Sequence, residues 1–239
     1  SATASRMQFG NHNHKETQQG KLTLSASNTQ THTPSAACMS RRIDNPPATY
    51  TQVLETDDVT LAQNHAGQLH DDPNSWVGGN LEGDIIIVEF MDYKCGYCKK
   101  AYPEVAHLLT TDGNIRYIVK EFPILGDQSM LAAQFAIATK LVAGDEAYET
   151  VHNTLMEFRG DITPDMLTKL GESLDLDTAA ITVEMEGAEV AKVINDNRLL
   201  GQAMQISGTP TFVVQDQMLR GYVPFDQMVQ IVEQIRDAG

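Results

Sequence analysis

Cys95-Gly96-Tyr97-Cys98 and, far downstream, Gly208-Thr209-Pro210 are the residues of this chain whose types and spacing point to chemistry. Two cysteines separated by two residues, set where a strand gives way to a helix, form a redox couple rather than a structural staple. A thiolate, not a thiol, is the nucleophile in disulfide exchange, and an ordinary cysteine with a pKa of about 8.5 is mostly protonated at neutral pH. At a helix N-terminus, unpaired backbone N–H groups and the macrodipole favour negative charge. Lys94, Lys99 and Lys100, set against Asp92, add a local excess of cations. Such surroundings bring a cysteine down to roughly 3.5–7.5, and each two-unit shift is worth about 2.7 kcal/mol. Stabilising the reduced thiolate makes the disulfide the stronger oxidant. Cys95 is therefore assigned as the sulfur that attacks and is attacked, and Cys98, one turn into the helix, as the resolving thiol. Pro210, just ahead of a later strand, can hold backbone against the pair.

The elements that must position these residues are legible in outline. Residues 84–90, mostly β-branched and apolar, read as a strand buried on both faces. Residues 99–109 read as helix with Val105, Leu108 and Leu109 on one face, and Pro103 inside it predicts a kink. A second strand covers 115–119. A long helical stretch follows, with Leu131, Phe135, Ala138 and Leu141-Val142 on one face and Tyr148, Val151, Leu155 and Phe158 on another. Thr163-Pro164 reads as an N-cap and first helical residue, and two more helices are placed at 177–185 and 187–205. Residues 211–214 and 218–222 pair as a hairpin, and Phe225, Met228, Val229, Val232 and Ile235 stripe a final helix.

Two other readings of the cysteine pair stand beside redox exchange. Half of a zinc site would need two more ligands; Cys38 and seven histidines are present, but no second closely spaced ligand pair, so no metal site is assigned. A purely structural disulfide would close too small a loop to add much. His107, on the active-site helix, has nothing to pair it with the cysteines and reads as packing or surface.

Residues 89–95, the Cys-Gly-Tyr-Cys motif, 120–126 (Lys-Glu-Phe-Pro-Ile-Leu-Gly) and 208–214 (Gly-Thr-Pro-Thr-Phe-Val-Val) together resemble the DsbA-like thioredoxin-fold thiol:disulfide oxidoreductases, in particular the bacterial DsbA-family or 27 kDa outer-membrane protein subgroup. The resemblance runs over roughly residues 71–238. It implies an α/β thioredoxin fold carrying a helical insertion at about 126–205. It also implies that Glu89 is a buried carboxyl beneath the cysteines, able to hold and return the proton of the buried thiol. Pro210 is implied to be cis, with Thr209 and Pro210, beside Gly96 and Tyr97, meeting an extended substrate segment. Lys120 and Glu121 are either part of a proton path or an ordinary charged strand end. The family implies exchange of the Cys95–Cys98 disulfide with cysteines of exported proteins, foremost as an oxidase that donates it; the Gly-Tyr dipeptide and residues 219–224 are similar to DsbC-type isomerases, so isomerase or reductase is the alternative. The implied partners are reduced or misfolded polypeptides and a redox protein that resets the couple. No cofactor is implied beyond the Cys95–Cys98 disulfide, and the implied location is periplasmic or otherwise extracytoplasmic. A non-catalytic metal-handling or assembly protein reusing the fold is the alternative from another class.

Composition bounds the remainder. Seventeen basic against 32 acidic side chains give a net charge of −15, which argues against nucleic acid and anionic membranes as partners. No apolar run has the roughly eighteen residues a membrane span needs, and no signal peptide is recognised near the start. Residues 1–49, polar and poor in large apolar side chains, are expected to be a disordered tail, with Cys38 a free thiol. His12, His14 and His32 there read as tail residues rather than ligands. Residues 50–80 are expected to form a helical extension, and 81–239 the thioredoxin-like domain.

Overall fold

The computed structural model describes residues 56–238. The expectations for the tail, its histidines and Cys38 lie outside the described residues. Two short helices open the described part, α1 (Thr56–Asn64) and α2 (Ala66–His70), followed by a strand β1 (Trp76–Gly79). That strand lies ahead of the boundary expected at residue 81 and was not anticipated: with only Trp76 and Val77 before two glycines, it carries almost no strand signature. Next come β2 (Ile85–Met91), α3 (Gly96–Asp112) and β3 (Ile115–Glu121). Five helices follow: α4 (Asp127–Ala143), α5 (Asp145–Glu157), α6 (Pro164–Ser173), α7 (Thr178–Met185) and α8 (Ala188–Ala203). The chain closes with β4 (Thr211–Val214), β5 (Gln217–Arg220) and α9 (Phe225–Ala238).

One five-stranded sheet holds these together in the order β1-β3-β2-β4-β5. Strands β2 and β3 are parallel, as a helical crossover requires, with Glu89 opposite Val119 and Met91 opposite Glu121. The other pairings, β1 with β3, β4 with β2 and β5 with β4, are antiparallel. Because β2 is covered on both faces its side chains split between two apolar clusters, as period-two alternation dictates. Ile85, Ile87 and Met91 join α3, α9 and the inserted helices; Val88 and Phe90 join Ala62, Leu69, Leu200 and Met204 behind the sheet. Glu89 shares the first face, with Ile87 and Met91. On β3 the same alternation puts Tyr117 and Val119 on that face and Ile118 on the other.

Helix α3 runs unbroken through Pro103 and stops at Gly113, whose φ of 74° is open to glycine at little steric cost. The chain then turns into β3. Helix α4 buries Phe135, Ala138 and neighbouring alanines. Leu141 and Val142, expected on that buried face, are exposed, as is every residue from 141 to 146: the last turn of α4 projects beyond the elements packed on it. Thr163 caps α6 through its side chain, which accepts from Met166 N–H, with Pro164 following.

Candidate active site

Strand β2 delivers the chain to the cysteines through a three-residue loop that Asp92 organises. Its buried carboxylate accepts from the backbone N–H of Lys94 at 2.8 Å and from Ile124 and Leu125 N–H at 2.8 and 3.1 Å. Those bonds lock the loop after β2 to the loop after β3. Its backbone carbonyl accepts from Cys95 N–H at 3.0 Å. Cys95 is then the N-cap of α3, with extended φ and ψ of −74° and 116°.

A cap side chain accepts from the N–H groups of the first turn, and here the cap is a sulfur. Cys95 Sγ accepts from Cys98 N–H at 3.4 Å. The hydrogen bond from the Cys98 side chain is the largest influence that lowers Cys95, to about 5; burial opposes it, Thr209 lowers it further, and the Cys98 and Tyr97 amides add the smaller part. The lysines act elsewhere. Lys94 Nζ reaches Gly160 O at 3.3 Å, Lys99 Nζ reaches Leu155 and Phe158 O at 2.6 Å each, and Lys100 lies 3.9 Å over the Tyr222 ring. The expectation that they act on the thiolate is therefore corrected: helix-end hydrogen bonds do so.

Cys98 is the opposite case. It is fully buried, and desolvation, then Cys95 and the Glu89 carboxyl, push its thiol far up. Both cysteines are free thiols.

Beneath them Glu89 is 2% exposed. Tyr117 O–H donates to its Oε2; its Oε1 is buried with no protein partner. Desolvation raises its pKa to about 8 against the Tyr117 hydrogen bond, with Cys95 adding to the rise. Glu121, on the same face, forms a second buried carboxyl: Tyr93 and Tyr148 each donate to its Oε1 at 2.7 Å, and burial raises it to about 8. Tyr93 Oη also lies 3.0 Å from His152 Nδ1, and burial holds that imidazole down at about 3.

Lys120 is placed apart from this group. It lies on the other face of β3, 1% exposed, paired with Asp72 at 2.7 Å and with Gln68 O at 2.8 Å. Its surroundings are neither a proton path to the cysteines nor a solvated strand end; the ion pair fastens the α2–β1 segment to the back of the sheet.

On the open side, the Thr209–Pro210 peptide bond is cis. Cys95 S–H donates to Thr209 O at 3.1 Å. Pro210 O is already bonded to Gly221 N–H at 2.9 Å. It is therefore Thr209, not Pro210, whose backbone faces the redox pair. Gly96 is exposed, a Cβ there would meet nothing within 4 Å, and Tyr97 is 64% exposed. His107 is exposed with its ring 4.5 Å from that of Phe225, away from the cysteines. Among the described residues, no group of three or more His, Cys, Asp or Glu side chains is placed to hold a metal ion.

Asp92, Tyr93, Tyr117, Tyr148 and His152 were not found by sequence reasoning. Strand alternation alone puts Tyr117 and Glu121 on one face, but only the register of β2 against β3 brings Tyr117 to Glu89. Tyr148 and His152 arrive from α5, with no local signal.

Sequence and fold together have matching relatives. The profile of the DSBA-like thioredoxin domain matches residues 86–233, and the chain belongs to that family. A thioredoxin-like oxidoreductase from Silicibacter pomeroyi DSS-3 is 37% identical with a TM-score of 0.68, over 72% of this chain and 98% of that one. Disulfide bond formation protein D of Bacillus subtilis is 24% identical over 65% of this chain and 74% of its own length. The Na(+)/H(+) antiporter NhaA 1 of Salinispora arenicola is 33% identical over 139 residues, 58% of this chain but only 21% of the antiporter, so the chain spans about a fifth of that relative.

Proposed function

We propose that the protein is a thiol–disulfide oxidoreductase that donates the Cys95–Cys98 disulfide to reduced polypeptides outside the cytoplasm. The observation that carries this is the polarisation of the pair: Cys95 is held at about 5 by α3 while burial pushes Cys98 up. A couple whose reduced form contains a stabilised thiolate is a good oxidant. Membership of the DSBA-like family and the 37% identity to a thioredoxin-like oxidoreductase support the same chemistry. Antiport is not carried over: the relative of that name is matched over a fifth of its length, and no helix among the described residues is long and apolar enough to cross a membrane.

In the forward step a substrate thiolate attacks Cys95 Sγ. The Cys95–Cys98 bond breaks, a substrate–Cys95 disulfide forms, and Cys98 departs with the electron pair. Protonated Glu89 supplies the proton Cys98 takes up. A second substrate thiolate then attacks the substrate sulfur, forming the product disulfide and releasing Cys95 as thiolate. The S–H that Thr209 O receives in the dithiol state is absent both from the Cys95–Cys98 disulfide and from the substrate–Cys95 disulfide. Thr209 O is then free, with Thr209 N–H, to pair with the substrate backbone. A partner oxidant must restore the disulfide.

The Gly-Tyr dipeptide favours a second reading, isomerase or reductase, in which the pair is kept reduced. Equilibration against glutathione buffers decides between them. A potential more oxidising than the glutathione pool is expected for a donor. A value near that of thioredoxin, about −270 mV, overturns the donor reading in favour of the second.

A further inference from the structure

Three cations converge on the C-terminal end of α5, beside the redox pair. Lys99 Nζ bonds Leu155, Met156 and Phe158 O; Arg159 Nη1 bonds Met156, Glu157 and Phe158 O; Lys94 Nζ reaches Gly160 O. Lys94 directly precedes Cys95 and Lys99 directly follows Cys98. None of the three is in an ion pair among the described residues, in a chain with 32 acidic side chains. A helix C-terminus carries only about half a negative charge, so it neutralises a fraction of the three.

The carboxylates nearby are committed elsewhere. Asp92 is spent on three backbone N–H groups and Asp161 accepts from Gln128 Nε2, and no ion pair joins exposed Glu157 to any of the three cations among the described residues. The crowding is visible in Lys99, which burial, Arg159 and Lys94 lower to about 8. The knot also has open valences. Lys94 makes one bond with three donors, and Arg159 uses Nη1 alone, leaving Nε and Nη2 unpartnered among the described residues. Lys94 is half-buried and Arg159 exposed.

Resting on the exchange reading above, we propose that Lys94 and Arg159 form an acidic-residue subsite that favours substrate cysteines with an Asp or Glu close by in the polypeptide. Its place sets the spacing. Lys94 Cα lies one peptide unit, about 3.8 Å, from Cys95 Cα. An extended substrate advances about 3.3 Å per residue, so the side chain that reaches the subsite lies within roughly three residues of the attacking cysteine. Lys99, whose donors are already used, supplies charge without contact. The subsite also explains how a strongly acidic protein accepts acidic segments that its overall field repels.

The test uses the full oxidised chain and two peptides, each with one cysteine, that differ only in Asp against Asn at the flanking positions. Rates of mixed-disulfide formation are followed by quenching with an alkylating agent and mass spectrometry. The quantity read is the Asp-to-Asn rate ratio, so differences in intrinsic exchange reactivity cancel between proteins. In the Lys94→Gln/Arg159→Gln double variant this ratio is expected to drop about three- to tenfold at low salt, the scale of one or two exposed ion pairs. The difference should vanish at about 1 M salt, where screening is nearly complete, and Arg159→Lys with Lys94 intact should keep most of the preference. A ratio untouched by the double variant, or a change that survives high salt, overturns the subsite while exchange itself stands. Reaction with neither peptide removes the exchange reading and the subsite together.

Discussion

If hydrogen bonds from the first turn of α3 rather than lysines hold the Cys95 thiolate, deleting even a minor one must cost more than deleting a cation. Tyr97→Pro removes an N–H that lowers Cys95, though less than the Cys98 side chain does. Proline is tolerated in the first helical turn, and the preceding residue is Gly96, which lacks the Cβ that would clash with the ring. Its loss is set at the low end for a hydrogen bond to a charged group, about 1.5 kcal/mol, which converts to roughly one pKa unit. Cys95 should therefore move from about 5 to about 6. Because the lost bond stabilised the reduced form, the potential should fall, becoming about 30 mV more reducing. The pH dependence of alkylation at Cys95, resolved by mass spectrometry, measures the first quantity and glutathione equilibration the second. Tyr97→Ala, which removes the exposed ring but keeps the N–H, is the control and should titrate like the parent. Lys94→Gln and Lys100→Gln should shift Cys95 by only a few tenths of a unit, as partly exposed charges in water do. The reasoning fails if Tyr97→Pro titrates like Tyr97→Ala, or if either lysine variant moves Cys95 by a full unit.

The buried carboxyls and the ion pair behind the sheet give three further outcomes. Glu89→Gln keeps the shape and the Tyr117 bond but cannot deliver a proton to Cys98. The exchange rate should fall about a hundredfold below pH 8, and the step that the parent shows near pH 8 should disappear from the pH–rate profile. Glu121, raised from 4.5 to about 8, carries a proton in the folded state where the unfolded chain has lost it. Stability must therefore fall as pH rises from about 4.5 to about 8 and level off above that, by about 5 kcal/mol for this one group. Urea unfolding at pH 5 and pH 8 should show a smaller loss in Glu121→Gln than in the parent; equal slopes would mean Glu121 is ionised at neutral pH. Asp72→Ala leaves Lys120 buried and unpaired, and should cost about 3 kcal/mol, measured by denaturant midpoint. Exchange activity per folded molecule should persist; if it drops with stability unchanged, Lys120 belongs to the chemistry after all.

What could be read without the structure followed from how local each cause is. The cysteine motif, the proline ahead of β4, the apolar run of β2 and the Thr163-Pro164 helix start depend on neighbours along the chain, and each is where its residues indicated. β1 depends on pairing with β3 across some forty residues, and its own four residues do not announce it. The lysines misled because adjacency in sequence is not adjacency in space. Lys99 belongs to the first turn of α3 but turns towards α5, and Lys94 reaches the loop after it. The aromatic and imidazole groups around Glu121 were beyond reach for the same reason: α5 contributes two of them, and nothing in residues 145–157 says which strand they meet.

Lys120 and Glu121 show how little separates structural from chemical placement in this fold. They are consecutive, both charged and both buried, at 1% and 3% exposure. A strand sends successive side chains to opposite faces, so one step along β3 divides their tasks. Lys120 turns to the rear face, where Asp72 waits and an ion pair can be completed without disturbing the cysteines. Glu121 turns to the face it shares with Glu89 and the underside of α3, where among the described residues no cation is placed to receive it and the Tyr93 and Tyr148 hydroxyls are its donors. That difference in company sets their behaviour. A carboxyl buried among hydroxyls keeps its proton to about pH 8, whereas Asp72, against Lys120, is held below its ordinary value. In the exchange proposed above, Glu89 can cycle a proton near neutral pH because no cation among the described residues is paired with it on that face. A lysine turned to that face would hold the carboxyl ionised and end the cycle.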